Sequence, residues 1–122
     1  MDELIERLVA NVGVDRAVAE KSVGIIMAFL INEGPADKVQ AVMDRMPGAE
    51  AAAKAAANGS GGVGGMMGGG IMGVGTKLMA AGLGMGQMQN VTREIIAFAR
   101  EKAGEDAVGE IVGAIPGLGQ FV

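Results

Sequence analysis

Two aspartates at equivalent places in the chain are the residues best suited to acid–base chemistry. Asp37 and Asp106 lie sixty-nine positions apart, within segments that resemble each other. A pair of carboxylates can exchange protons with a bound substrate. Each aspartate, however, falls in the first turn of a predicted helix, where free N–H groups and the helix dipole stabilise a carboxylate. We therefore expect a structural role for both residues and predict no catalytic residue.

The other residues that could carry chemistry are few. The chain has no histidine and no cysteine, so it lacks the commonest general base, the commonest metal ligands and a thiol nucleophile. Neither of its serines, Ser22 and Ser60, lies in the glycine pattern of a nucleophile elbow. Residues 73–77 read Gly-Val-Gly-Thr-Lys, but a phosphate-binding loop needs another residue order after a buried strand. The sequence predicts a non-enzymatic protein with no metal and no cofactor.

The charge balance argues against nucleic acid as a partner. Fourteen acidic residues outnumber ten basic ones, which gives a net charge of −4, and the basic residues are scattered singly. Binding to a phosphate backbone needs clustered lysines and arginines instead. Residues 1–7 are acidic and amphipathic, unlike the basic start and apolar run of an export signal. We expect a cytoplasmic protein that binds a protein partner or an apolar ligand.

An internal repeat sets the elements that would position any site. Residues 26–48 recur as residues 95–117, and seven of the 23 pairs are identical; residues sixty-nine positions apart are called counterparts below. Such repetition indicates one supersecondary unit built twice. Apolar residues recur at helical spacing, and only three residues are aromatic, which favours helices packing on helices. The sequence predicts an all-α bundle of two pseudo-symmetric three-helix repeats joined by a Gly/Met-rich linker.

The predicted organisation has three parts that together form one compact domain. Residues 1–48 are the first repeat and residues 71–122 are the second. Residues 49–70 connect them through an Ala-rich helix and then a flexible linker from Gly59 to Gly70, because each interior glycine costs a helix about 1 kcal/mol relative to alanine. Among the helix ends, we expect Gly13 to adopt the left-handed conformation that closes many helices.

Methionines are concentrated in one part of the chain, since six of the ten fall within residues 66–88. Exposed methionine-rich surfaces bind varied apolar partners, because the side chain is flexible and polarisable. Met79 and Met88 have helical spacing relative to other apolar residues, and we expect them in the core. The candidate partner-binding residues are Met66, Met67, Met72 and Met85.

The glycine-rich tract offers an alternative interpretation. The stretch Ala55–Thr76 carries no charge and is long enough for a membrane span, which takes about 20 residues. Its glycines recur every fourth residue from 61 to 73, as in membrane helices that approach closely. The tract has few strongly apolar residues, and a span would separate two repeats that ought to pack together. Membrane association therefore remains the alternative to a protein-binding module.

Four segments of the second repeat carry a resemblance to known proteins. They are GLGMGQMQ at 82–89, IIAF at 95–98, KAG at 102–104 and IPGL at 115–118. Together they resemble small bacterial proteins of the VcgC/VcgE type, and more loosely the YidB-like proteins, which are of unknown function. Those proteins share a Gly/Leu/Met-rich lead, a helix with a Phe-containing run, a Lys-x-Gly break and a short last helix. The resemblance implies a bacterial source, and it transfers no functional residue to this chain.

Overall fold

Helices account for almost all of the regular structure. A computed structural model describes the backbone of residues 2–59, 70–115 and 118–120. It also describes their side chains, except those of residues 55–59, 70–73 and 120. The helices are α1 (Asp2–Val12), α2 (Arg16–Glu33), α3 (Ala36–Arg45), α4 (Ala49–Gly59), α5 (Gly70–Ala80), α6 (Met85–Ala103) and α7 (Glu105–Ala114), followed by a 3-10 helix (Leu118–Gln120). These ranges contain no β-strand. The prediction of an all-α fold is confirmed.

The helices of the first half (residues 2–59) pack against those of the second half (residues 70–120). Helix α1 lies on both α2 and α6, α5 lies on α2, and α3 lies on α7. The shared core is aliphatic and methionine-based, as the scarcity of aromatic residues predicts. Its largest fully buried side chains include Leu4, Leu8, Ile26, Met27, Leu30, Met46, Leu78, Ile95, Ile96 and Ile111.

Glycines in the left-handed region end the first helix of each half. Gly13 follows α1 with φ of 84°, as predicted, and its counterpart Gly82 follows α5 with φ of 110°. At the end of α5, the N–H of Leu83 donates to the carbonyl of Leu78 and the N–H of Gly82 to that of Met79, at 3.1 and 3.0 Å. Glycine is favoured there because an L-residue in this region costs about 1–2 kcal/mol.

The Ala-rich segment forms a helix that belongs to the packed bundle. Helix α4 matches the predicted Ala49–Asn58 helix within one residue, and Lys54 Nζ lies 3.6 Å from Glu50 Oε1 one turn earlier. Its contact with α2 is the most extensive between any two helices described. Ala49 and Ala53 are buried at 0% and 2% exposure. Small side chains therefore bring α4 close to α2. The predicted linker lies mostly outside the described residues, although Gly59 and Gly70 are helical.

One core assignment is wrong. Met79 was expected to face the core but is 58% exposed, whereas the neighbouring Leu78 is 1% exposed. Successive helical residues are about 100° apart, so the narrow buried stripe of α5 includes Leu78 and excludes Met79.

None of the helices in the described ranges is both long enough and apolar enough to cross a membrane. Much of the uncharged Ala55–Thr76 stretch, including residues 60–69, lies outside those ranges.

Candidate functional site

An open groove of about 310 Å³ separates α5 from α6. That volume is at the lower end of the range for small-molecule sites, about 300–1,000 Å³. The groove is lined from α5 by Val74, Gly75 and Leu78, and from α6 by Met85, Gly86, Met88, Gln89 and Thr92. None of these side chains is ionisable.

The groove has an apolar floor and a methionine at its rim. Leu78 and Val74 are 1% and 7% exposed, so they form the floor. Met88 is partly buried against the core, whereas Met85 is 76% exposed. The buried hydroxyl of Thr92 donates to the backbone carbonyl of Met88 at 2.9 Å, which satisfies it within α6. An apolar group entering the groove would therefore meet mostly carbon and sulfur atoms.

Glycine explains why the groove is open. At Gly75 and at Gly86, an added Cβ would meet nothing within 4 Å. Their counterparts in the first half, Glu6 and Ala17, carry side chains. The contact between α5 and α6 is also less extensive than the contact between α1 and α2. Space is thus left between α5 and α6, whereas the corresponding helices of the first half, α1 and α2, pack more closely.

The same comparison shows a change in charge around the groove. The exposed positions Glu6, Arg16 and Glu20 of the first half correspond to Gly75, Met85 and Gln89 of the second. Charged side chains keep a helix surface in water, and contiguous exposed apolar surface marks interaction sites. Three charges of the α1–α2 pair are therefore replaced by neutral residues at the α5–α6 pair, which borders the open groove.

The structure brings one of the four predicted partner-binding methionines to this groove. Met85 lines it, and Met88, which was predicted to lie in the core, does so as well. Met72 lies in α5, but its side chain is outside the described residues, as are Met66 and Met67 entirely. The concentration of methionines does not predict the α5 residues of the groove. Comparing charged residues with their neutral counterparts would have found one of them, Gly75.

A second groove of about 310 Å³ lies between α2, α3 and α4. Its walls include Ala28, Ile31, Val39, Met43 and Ala53. Glu50 and Lys54, which lie 3.6 Å apart as an ion pair, also line it. This groove therefore carries charge where the α5–α6 groove carries none.

The two aspartates considered for acid–base chemistry lie at the starts of α3 and α7, as predicted. Between these helices, Lys38 Nζ lies 2.8 Å from Glu110 Oε2. This hydrogen bond raises the pKa of Lys38, and the charges of Glu110, Asp37 and Asp106 add to the rise. The charges of the two aspartates thus favour the protonated form of Lys38, which links α3 to α7 through Glu110.

The other chemical candidates have structural explanations. Ser22 is fully buried, and its hydroxyl donates to the carbonyl of Val18 at 2.7 Å. Residues 73–77 lie within α5, so they form a helix and not a phosphate-binding loop. No group of three acidic residues that could hold a metal ion occurs in the part of the chain that the structure describes.

A polar cluster joins α1 to α6. Arg7 Nη1 lies 2.6 Å from Glu101 Oε2, and Arg7 Nη2 lies 3.6 Å from Glu94 Oε2. The hydrogen bond to Glu101 raises the pKa of Arg7. The cationic groups of Arg7 and Lys102 lie 5.5 and 5.3 Å from the centre of the Phe98 ring, within the range of cation–π attraction. This cluster holds the N-terminal helix on the second half.

Fold and site together define an all-helical bundle with an apolar cleft between two helices. Comparisons with protein-family models, with curated proteins and with solved structures find no match to the chain. The groove itself is therefore the feature of the molecule that points to a function.

Proposed function

We propose that the chain is a non-enzymatic interaction module that binds an apolar ligand, or the apolar side chains of a protein partner, in the α5–α6 groove. The observation that carries the proposal is the replacement of Glu6, Arg16 and Glu20 by Gly75, Met85 and Gln89 around an open apolar floor. Nucleic acid is not the expected partner, given the net charge of −4.

The physical basis is burial of apolar surface. Removing apolar surface from water contributes roughly 25 cal/mol per Å². The flexible thioethers of Met85 and Met88 can adapt to ligands of different shape. Gln89 supplies a polar group at the edge of the groove, which suits the orientation of a largely apolar ligand.

We also propose that the two halves are structural repeats related by a pseudo-two-fold axis. Helices α2 and α6, and likewise α3 and α7, begin at counterpart residues, and α1 and α5 begin within one residue of counterparts. Packing of α1 on α6 and of α5 on α2 supports this relation, as does the burial of both Phe29 and Phe98. Kinship with the VcgC/VcgE-type proteins and a location in the bacterial cytoplasm remain part of the proposal.

Binding of N-phenyl-1-naphthylamine, an uncharged apolar fluorophore, tests the proposed site. The Gly75→Leu variant should fill the groove without a backbone clash, because the space around Gly75 is open. We expect it to weaken probe binding by about tenfold or more, which corresponds to about 1.4 kcal/mol. The matched control is Glu6→Leu, which places the same side chain at the counterpart position. Equal affinity of the two variants for the probe would contradict the proposed site.

A further inference from the structure

One face of α6 continues from the groove as a basic strip. Gly86 and Gln89 line the groove, and Arg93, Ala97 and Arg100 follow them at spacings of three or four residues. Residues at this spacing share a helix face. In the part of the chain that the structure describes, neither Arg93 nor Arg100 forms an ion pair. The Nε atom of Arg100 is also buried without a hydrogen-bond acceptor.

The corresponding face of α2 carries a helix. The counterparts of Arg93, Ala97 and Arg100 are Gly24, Ala28 and Ile31. Gly24 is buried, and Ala28 and Ile31 line the groove that α2 shares with α4. An uncharged face of α2 therefore packs against an alanine-rich helix of the chain itself.

Among the described residues, α4 has no equivalent in the second half. Leu118, the counterpart of Ala49, begins a 3-10 helix of three residues. Arg93 is exposed to solvent, and its charged side chain stands where the counterpart Gly24 has only a hydrogen atom. A helix that packed as closely as α4 but brought no carboxylate to Arg93 would leave that charge without water or a partner, which is costly. A helix that brings carboxylates would instead form charge-assisted hydrogen bonds.

We propose that the α5–α6 groove and the basic face of α6 together dock an amphipathic α-helix of a partner protein, whose apolar stripe is flanked by acidic residues. The apolar stripe enters the groove at Met85 and Met88, and the carboxylates face Arg93 and Arg100. Charge complementarity selects this occupant over a neutral or basic helix. The inference rests on the proposed function, because the apolar stripe uses the same groove.

Designed peptides of about 18 residues, five helical turns, test the inference with the full chain. One peptide carries a leucine stripe flanked by glutamates, a second carries lysines in place of the glutamates, and a third scrambles the stripe of the first. Fluorescence anisotropy at low ionic strength should show that the glutamate peptide binds about tenfold more tightly than the other two. Equal affinity for the glutamate and lysine peptides would overturn the inference, as would equal affinity for the scrambled peptide.

Charge reversal provides the matched variants. Arg93→Glu should weaken binding of the glutamate peptide by about tenfold and strengthen binding of the lysine peptide. Lys21→Glu makes the same charge change at an exposed position of α2 and should alter the affinity for neither peptide. Circular dichroism verifies that both variants fold. Similar effects of the two variants would overturn the inference. So would binding to vesicles of anionic lipid in preference to the glutamate peptide, or self-association that the peptide cannot displace.

Binding of the uncharged fluorophore distinguishes a failure of the apolar groove from a failure of the acidic-helix proposal. If Gly75→Leu abolishes fluorophore binding and the peptides show no charge preference, the groove is supported as an apolar binding site, and the proposal of an acidic partner helix is contradicted. If the Gly75→Leu and Glu6→Leu variants bind the fluorophore equally, the groove is not the binding site, and the docking proposal is contradicted as well.

Discussion

Replacing Phe98 by alanine tests how the two halves are held together. The ring belongs to α6, is 3% exposed, and lies under Arg7 of α1 and Lys102 of its own helix. Its counterpart Phe29 on α2 is 7% exposed. Among the described residues, no cation lies over the Phe29 ring. The two phenylalanines therefore offer similar burial with and without cation–π contacts.

The expected loss of stability follows from these contacts. Truncating a buried phenylalanine to alanine costs about 3–5 kcal/mol, through lost apolar burial and the cavity left behind. Each cation–π contact at a partly exposed site adds about 0.5–1 kcal/mol. Phe98→Ala should thus lower the free energy of unfolding by about 1–2 kcal/mol more than Phe29→Ala does. Either loss is a large fraction of the about 5–15 kcal/mol that stabilises a typical protein.

Urea unfolding followed by far-ultraviolet circular dichroism measures both changes. The Arg7→Met variant supplies the cross-check, because it removes the cation and keeps an apolar stem. Phe98→Ala is expected to destabilise the protein more than Phe29→Ala does. In the Arg7→Met background, most of the part of this difference that comes from Arg7 should disappear. If Phe98→Ala costs less than about 1 kcal/mol, Phe98 is not a core residue joining the halves. If Phe29→Ala costs as much as Phe98→Ala, the cation–π contribution is refuted.

Three further substitutions have defined expected outcomes. Gly109→Ala should raise the free energy of unfolding by about 1 kcal/mol, because Gly109 lies within α7 and an added Cβ meets nothing. Gly34→Ala should lower it in the same urea assay, because its Cβ would lie 2.7 Å from the carbonyl oxygen of Leu30; a gain in stability would contradict this. By ¹⁵N NMR, the pKa of Lys38 should exceed the ordinary lysine value and fall in Glu110→Gln. Because the folded-state pKa is the higher one, the stability from this pairing is complete below the unfolded lysine pKa. It should be lost as the pH rises through the folded value, and equal pKa values in the two proteins would contradict the assignment.

The features predicted best from the sequence are those that depend on neighbouring residues. Gly13 adopts positive φ, and the Ala-rich segment becomes α4. Asp37 and Asp106 lie in the first turns of α3 and α7. Glycine conformations, helix propensity and the preference of carboxylates for helix starts are local properties. They are readable without knowledge of the tertiary fold.

The groove depends on tertiary distances, which spacing along one helix does not give. Whether Met79 or Leu78 is buried depends on which side of α5 meets α2. The separation of α5 from α6 depends on side chains that are absent at Gly75 and Gly86. The repeat nevertheless contains a usable signal, because comparing each residue with its counterpart identifies where charge is lost. That comparison indicates part of the groove from the sequence, although it gives neither its depth nor its volume.

Methyl NMR of the chain labelled with ¹³C at the methionine ε-methyl groups tests the central claim most directly. During titration with the uncharged fluorophore, we predict that the Met85 and Met88 signals shift together and saturate with one affinity. The signals of Met27 and Met46, buried in the first half, should remain unchanged. Shifts confined to the first half, or none at Met85 and Met88 when the fluorophore is saturating, would contradict the assignment of the α5–α6 groove as the binding site.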